Sequence, residues 1–259
     1  MRYFCTILLC LMPAFSWADS SFFKREQWDF SGYLKLVFQA PNNQPTAIEM
    51  DDLSLFVSAH INRWFNPFIE AELYSIPLWE SGQGLQFNQA KFTIERLYND
   101  IQFDEENTLR LGKFLSPVSR WNILHAAPLV WTTNRPIATR YSFANYISGL
   151  NIRHEFDLFS GHALEFYWQP YQEFYAKPTT KQDRHYQTVL GAAWILQDDI
   201  SAYYAFNVQY ADVKDRRENR TTLSFDAFLH RDYFDFETQW LVTFVDSNQA
   251  QHHAQDWGG

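Results

Sequence analysis

The sequence predicts an all-β protein, a transmembrane antiparallel up-and-down β-barrel, and three observations carry that prediction. Apolar residues recur at every second position over runs of about ten residues, which is the period of a strand and not of a helix. Aromatic residues make up 19 % of the chain, yet mean hydropathy is −0.37 and no second apolar run approaches the length of a transmembrane helix. The connections between runs alternate between tight and long, as they do in barrels that cross an outer membrane.

About eleven strands are expected, at residues 27–38, 51–62, 65–76, 88–103, 107–115, 144–156, 161–170, 185–196, 199–211, 219–230 and 233–245. The cleanest alternation is "DDLSLFVSAHIN" from Asp51, where Leu53, Leu55, Val57, Ala59 and Ile61 oppose Asp52, Ser54, Phe56, Ser58, His60 and Asn62. In the third run Phe65, Pro67, Ile69, Ala71 and Leu73 oppose Asn66, Phe68, Glu70, Glu72 and Tyr74. In the ninth, Ala202, Tyr204, Phe206, Val208 and Tyr210 oppose Ser201, Tyr203, Ala205, Asn207 and Gln209. In the tenth, Thr221, Leu223, Phe225, Ala227 and Leu229 oppose Arg220, Thr222, Ser224, Asp226 and His230. Such runs exceed the five or six residues usual in soluble sheets and match a membrane-spanning strand of roughly 9–11 residues.

Tight connections follow every even-numbered strand: Asn62-Arg63, "DEEN" from Asp104, "DLFSG" from Asp157, "QDD" from Gln197 and "HRD" from His230. Longer ones follow the odd-numbered strands and are rich in Pro, Gly, Asn and charge, as in "PNNQPTAIEM", "PLWESGQG", "KPTTKQD" and "KDRREN". Trp28, Trp64, Phe65, Trp168, Trp194 and Phe234 lie near strand ends, where interfacial girdles are built. A soluble β-sandwich or calycin-like barrel would also alternate, but with its apolar face turned to a core. Eleven is an odd number, whereas single-chain bacterial barrels have even ones. The chain also stops at "HHAQDWGG", so the barrel is expected to be incomplete, a fragment missing at least one closing strand.

Residues 1–18 read as a secretory signal peptide, and 19–259 as one barrel domain. Arg2 precedes an apolar run from Tyr3 to Met12, and Ser16 and Ala18 flank Trp17 as small residues at a cleavage site. Both cysteines, Cys5 and Cys10, fall in the leader, so no disulfide or thiolate chemistry is expected of the mature chain. Export through a cleaved leader puts the expected location in the bacterial outer membrane.

Charge singles out one region. The chain has 30 acidic residues against 21 Lys and Arg, yet no acid lies between Glu106 and Glu155. That window holds Arg110, Lys113, Arg120, Arg135, Arg140 and Arg153. It covers the fifth strand and the long connection at 116–143, whose Ile123, Leu124, Leu129, Val130 and Trp131 are too apolar to stand free in water. Folding inward against the wall would bury them and narrow a lumen.

Within this window "LRLGKFLSPVSRWN" resembles the Arg-x-Gly-(Lys/Gln/Arg)-Phe-x-x-Pro signature of Gram-negative outer-membrane porins of the phosphate-selective O and P type and their porin-like relatives. Arg110, Gly112, Lys113 and Pro117 occupy the motif, and "HAAPLVWTTNRP" resembles the loop that follows it in that group. Outside these stretches the chain is similar only as a barrel. The resemblance implies a passive diffusion pore for small hydrophilic solutes whose constriction includes this strand and loop. The chain carries no dense lysine ladder, so phosphate specificity is not part of the expectation.

The residues themselves support a parallel reading. Arg110 opposes Leu109 and Leu111 in parity and should face the lumen with Gly112, which leaves room for an inward loop. Lys113 should lie outward near the rim, snorkelling to headgroups. Arg120, His125, Arg135 and Arg140 belong to the loop; if it enters the lumen, its arginines favour anions weakly at the constriction. Glu70 and Glu72, with Asp226, Asp235 and Glu237, would form an acidic wall across the lumen. Alternatively these arginines bind lipopolysaccharide phosphates or pair with wall carboxylates.

Expected partners are outer-membrane lipid, lipopolysaccharide and small polar or anionic solutes; a homotrimer is left open, and no nucleic-acid module is present. No catalysis, cofactor or metal site is expected, since His252-His253 stands without a ligand motif. Two other functions remain. One is a non-conducting barrel with a structural, adhesive or receptor role. The other is a barrel-embedded lipid hydrolase drawing on Ser116, Ser119, His125 and Asn134, which would need serine and histidine brought together.

Overall fold

The computed structural model describes residues 3–11, 27–40, 45–85, 90–124, 142–156, 161–174, 185–198, 201–214, 217–247 and 254–258. The fold is all-β. Its strands are β1 (Tyr3–Leu11), β2 (Trp28–Ala40), β3 (Ala47–Ala59), β4 (Asn66–Glu80), β5 (Gly84–Leu85), β6 (Lys91–Gln102) and β7 (Asn107–Leu115). They continue with β8 (Tyr146–Glu155), β9 (His162–Gln169), β10 (Tyr186–Asp198), β11 (Ala202–Val213), β12 (Glu218–Arg231), β13 (Phe234–Ser247) and β14 (Ala254–Gly258). One helical turn, α1 (Arg120–Ile123), interrupts them.

Apart from β5, which pairs with β4, the strands follow one sheet in chain order, each antiparallel to the next where the register is recorded. All eleven expected strands are present, as β2–β4 and β6–β13, and β7 has the predicted bounds. Short β5, β1 over the expected leader, and β14 near the C-terminus are additional. Among the described residues no pairing joins β14 to β1 or β2, so the sheet is not closed.

The β3–β4 hairpin is longer than expected. Ala47–Met50 and Pro77–Glu80, read as loop, pair with each other, and the register slips between Ile48 and Glu49 where Pro77 enters the ladder. Proline has no N–H to donate, and a bulge accommodates it. The strands around another connection also run further than expected: only residues 214–217 join β11 to β12, with Arg217 at φ 49°. Glu218 and Asn219 of the "KDRREN" stretch belong to β12, so this connection is short, and the alternation of tight and long connections stops there.

The chain divides into two compact units, Met1–Leu97 and Tyr98–Gly259. In the first, Leu55, Phe30 and Ile69 are exposed, whereas Ser54, Glu70 and Glu72 on the opposite face are buried. Tyr33 donates to Asp52 at 2.5 Å, Ser54 donates to the same carboxylate at 2.8 Å, and the Arg96 guanidinium pairs with Glu70.

The second unit repeats this polarity over more strands. Leu190, Phe206, Leu223, Trp240 and Phe244 are exposed on one face; Glu165, Gln209, Thr222, Ser224 and Thr243 are buried on the other. Residues paired across an antiparallel ladder share a face, so the register confirms the assignment: Asn207 with Ser224, Gln209 with Thr222, and Thr222 with Thr243. A soluble β-sandwich would show the reverse.

One apolar cluster does sit on the inner face, formed by Phe114, Ile147, Tyr167, Val189, Ala211 and Leu241 from the strands with Val118, Phe143 and Ala144 from the long connection. Tyr167 is 0 % exposed and lies across Gly191, its partner on β10, where even a Cβ would collide with the ring. The ring covers a backbone that carries no side chain of its own.

Candidate functional site

The inner face of the second unit carries the two described ends of the connection between β7 and β8. β7 ends at Leu115, two residues before Pro117, which lacks the N–H needed to continue the ladder. The base of the connection is stapled there. The Ser116 backbone N–H donates to the Asn145 carbonyl at 2.8 Å, and its hydroxyl donates to the Ala144 carbonyl at 2.6 Å. Asn122 then folds back, its Nδ2 donating to the carbonyls of Ser116 and Asn145, both at 2.9 Å. The α1 turn follows from Ser119, whose carbonyl accepts from the Asn122 and Ile123 backbones at 2.9 and 3.1 Å.

This segment lies against β11–β13. Asn207 Nδ2 donates to the Val118 carbonyl at 3.3 Å, and the Ser224 hydroxyl donates to the same oxygen. Gln239 Nε2 donates to Ser119 Oγ at 2.5 Å. The returning segment is held likewise. The Ser142 carbonyl accepts from Thr222 at 2.9 Å and Thr243 at 3.1 Å, and the Ala144 N–H donates to Gln209 Oε1 at 2.7 Å. A connection buried against a sheet must find partners for its own peptide groups. The polar residues at every second position of β11–β13 supply them, which is why that face is polar.

Arg120 is the charged centre of the arrangement. Its backbone N–H donates to Asp226 Oδ1 at 3.3 Å, its Nη1 pairs with Glu237 at 2.8 Å, and its guanidinium lies 4.0 Å over the Phe228 ring. Asp226 and Glu237, expected to face the loop arginines across a lumen, instead contact Arg120 directly.

The other candidates are placed as follows. Arg110 faces inward and grips Asp100 of β6 through Nε and Nη2 at 2.7 and 2.8 Å, stacked 4.0 Å over Tyr98. Gly112 pairs with Gly149 and sits at φ 133°, a backbone region that favours glycine. In the first unit, Glu70 is buried and bonded to Arg96, and Glu72 is buried. Asp235 pairs with His230 at 2.5 Å beside the turn at 232–233. His125, Arg135 and Arg140 lie outside the described residues, as does Asn134.

Arg153, at the edge of the acid-free window, bonds Glu165 at 2.6 Å and Glu155 at 2.8 Å. Arg110, Arg120 and Arg153 thus each hold a wall carboxylate, the alternative that the sequence had left open. Ser116 and Ser119 are fully buried, with hydroxyls engaged by Ala144 and Gln239.

Lys113 requires a correction. Its register with Ser148 puts it outward, as expected, but it is 2 % exposed and does not reach toward headgroups. It pairs with Glu173 at 2.9 Å and lies 4.9 Å from the Tyr146 ring centre, while the Phe174 N–H donates to Ser148 Oγ at 2.8 Å. The segment after β9 covers this part of the outer surface, which no local pattern announces.

Asn207, Gln209, Thr222, Ser224, Phe228, Gln239 and Thr243 were not singled out from the sequence as site residues. Their parity was readable; their role in holding a distant segment was not. No protein-family model matches the chain, and no curated protein matches it.

Proposed function

We propose that the chain is an outer-membrane porin: a β-barrel wall whose apolar face meets lipid and whose polar face borders a passive channel for small hydrophilic solutes. The observation that carries this reading is the inverted polarity of the sheet. Phe206, Leu223 and Trp240 are exposed, while Gln209, Thr222 and Asp226 on the same strands are buried. In water such an apolar face would be a liability; in hydrocarbon it is the low-energy arrangement. The two described ends of the connection between β7 and β8 lie against the inner face, and the resemblance of Leu109–Asn122 to the porin signature supports the same reading.

Weak anion preference is part of the proposal and rests on Arg135, Arg140 and His125, because the charges of Arg110 and Arg120 are matched by Asp100 and Glu237. The test is conductance of the full-length protein in a planar bilayer. An open, salt-dependent current is expected, and Arg135→Glu with Arg140→Glu should move the reversal potential toward cations. A silent barrel would favour the second reading, a non-conducting structural or receptor protein. One observation favours that reading: Val118 and Phe143 are packed into an apolar cluster on the inner face and do not border an aqueous path.

A further inference from the structure

The tight turn between β3 and β4, in the first unit, presents a cation that no carboxylate holds. Asn62 builds the turn: its Oδ1 accepts from the Trp64 and Phe65 backbones at 2.8 and 3.0 Å, which puts Arg63 and Trp64 at the tip. Arg63 folds over its neighbour, with the guanidinium carbon 4.7 Å from the Trp64 ring centre, and both residues are exposed. Arg96, Arg110, Arg120, Arg153 and Arg220 each pair with a carboxylate. Arg63 pairs with none among the described residues. No Asp or Glu lies between Asp52 and Glu70 in the chain. Glu70 is buried on the inner face with Arg96. Asp29 of neighbouring β2, exposed and opposite Ser58, makes no ion pair with Arg63.

The surface leading to the tip is apolar. Leu55, Ile69, Phe30 and Phe65 are exposed on the outer face of this unit, and Trp28 stacks on Phe30 with ring centres 6.4 Å apart. Exposed aliphatic side chains, then aromatic rings, then a cation lying on an indole follow the order of a bilayer from acyl chains through the interface to the phosphates. A guanidinium offers a fork of N–H donors that matches two phosphate oxygens, and an aromatic face steadies it without neutralising it. Tight connections are expected on the periplasmic side of an outer-membrane barrel, where phospholipid and not lipopolysaccharide makes up the leaflet. We infer that the Arg63–Trp64 tip is a docking point for the phosphate of a phospholipid headgroup. The inference rests on the reading that the apolar face meets lipid, and adds to it a specific partner for one turn of the wall.

Solid-state NMR tests the contact directly. The full-length protein, labelled with carbon-13 at the arginine ζ position, is reconstituted in phosphatidylglycerol vesicles, and dephasing of that carbon by lipid phosphorus is measured. Arg63→Gln should lose a resolved part of the dephasing seen in wild type. The substitution lies at an exposed turn and removes no hydrogen bond or ion pair of the described residues. In dodecyl maltoside micelles, which hold no phosphorus, added inorganic phosphate should give no dephasing that depends on Arg63.

Dephasing unchanged by Arg63→Gln in protein that floats with the vesicles overturns the docking point and leaves the membrane reading standing. Equal Arg63-dependent dephasing by inorganic phosphate in micelles would show capture of a free anion and overturn the lipid assignment. Protein that does not float with the vesicles at all removes the membrane reading and the docking point together.

Discussion

Arg120 Nη1 and Glu237 Oε1 lie 2.8 Å apart although 117 residues separate them in the chain. The pair ties the connection after β7 to β13, and the same arginine lies over Phe228 of β12. Truncating either partner strands a charge on a largely covered face. Arg120→Ala and Glu237→Gln should each cost about 1–2 kcal/mol of stability, toward the low end for hydrogen bonds to charged groups because both side chains keep some solvent. Urea titration in detergent, followed by tryptophan fluorescence, measures this. The charge reversal Arg120→Glu with Glu237→Arg should recover part of the loss; if the single and double variants behave additively, the pair is not coupled.

The Tyr167 ring leaves no room on β10 for a side chain at position 191. Gly191→Ala should therefore destabilise by about 1–3 kcal/mol, the range for overpacked interiors. Tyr167→Phe, which loses only the bond accepted from Gln209 at 3.3 Å, should cost about 1 kcal/mol. The ordering of the two in a urea melt is the informative quantity. A neutral Gly191→Ala would show that the ring does not hold this position.

The two faces of β12 should respond oppositely to charge if the outer one meets lipid. Leu223 lies mid-strand on the exposed apolar face. Leu223→Arg should cost about 2–4 kcal/mol in equilibrium folding into phosphatidylcholine vesicles, as at the midplane of a barrel. An exposed leucine on a soluble protein would tolerate the same change within about 0.5 kcal/mol. The second result would remove the membrane reading.

Asp104 closes the turn between β6 and β7. Its Oδ1 accepts from the Asn107 and Glu106 backbones at 2.7 and 3.0 Å, and Asn107 Nδ2 donates to the same carboxylate at 2.8 Å. The side-chain bond from Asn107, foremost, holds its carboxyl below the usual aspartate range. A depressed carboxyl stabilises the folded form above its unfolded pKa and loses that contribution as pH falls through the folded value. The turn should therefore be intact at neutral pH and loosen only on strong acidification. Amide exchange at Glu106 and Asn107 should report this, and Asp104→Ala should remove the pH response; an unaltered response would assign it to another group.

Much of the architecture was legible. The bounds of β7 were read correctly, and so were the polar and apolar sets of β3, β4, β11 and β12. The misses share a cause. Ala47–Met50 and Pro77–Glu80 carry proline and charge and read as loop, yet each completes the ladder of the other across a bulge. The connection holding "KDRREN" reads as a long loop and is short, because β11 and β12 keep pairing as far as Val213 and Glu218. Pairing continues wherever a partner strand is in register, and a partner is not a local property.

Alternation along the chain settles which side chains share a face, since successive residues of a strand point to opposite sides whatever surrounds them. Nothing in that rule names a partner. Arg110, Arg120 and Arg153 read as a block of positive charge, and only the placement of β6, β9 and β13 gives each its acid: Asp100, Glu237 and Glu165. Lys113 points outward by parity and is nevertheless covered, because the chain 60 residues later lays Glu173 against it. Periodicity is written in the backbone geometry of each strand, whereas charge pairing and burial depend on which distant segments the folded chain brings into contact.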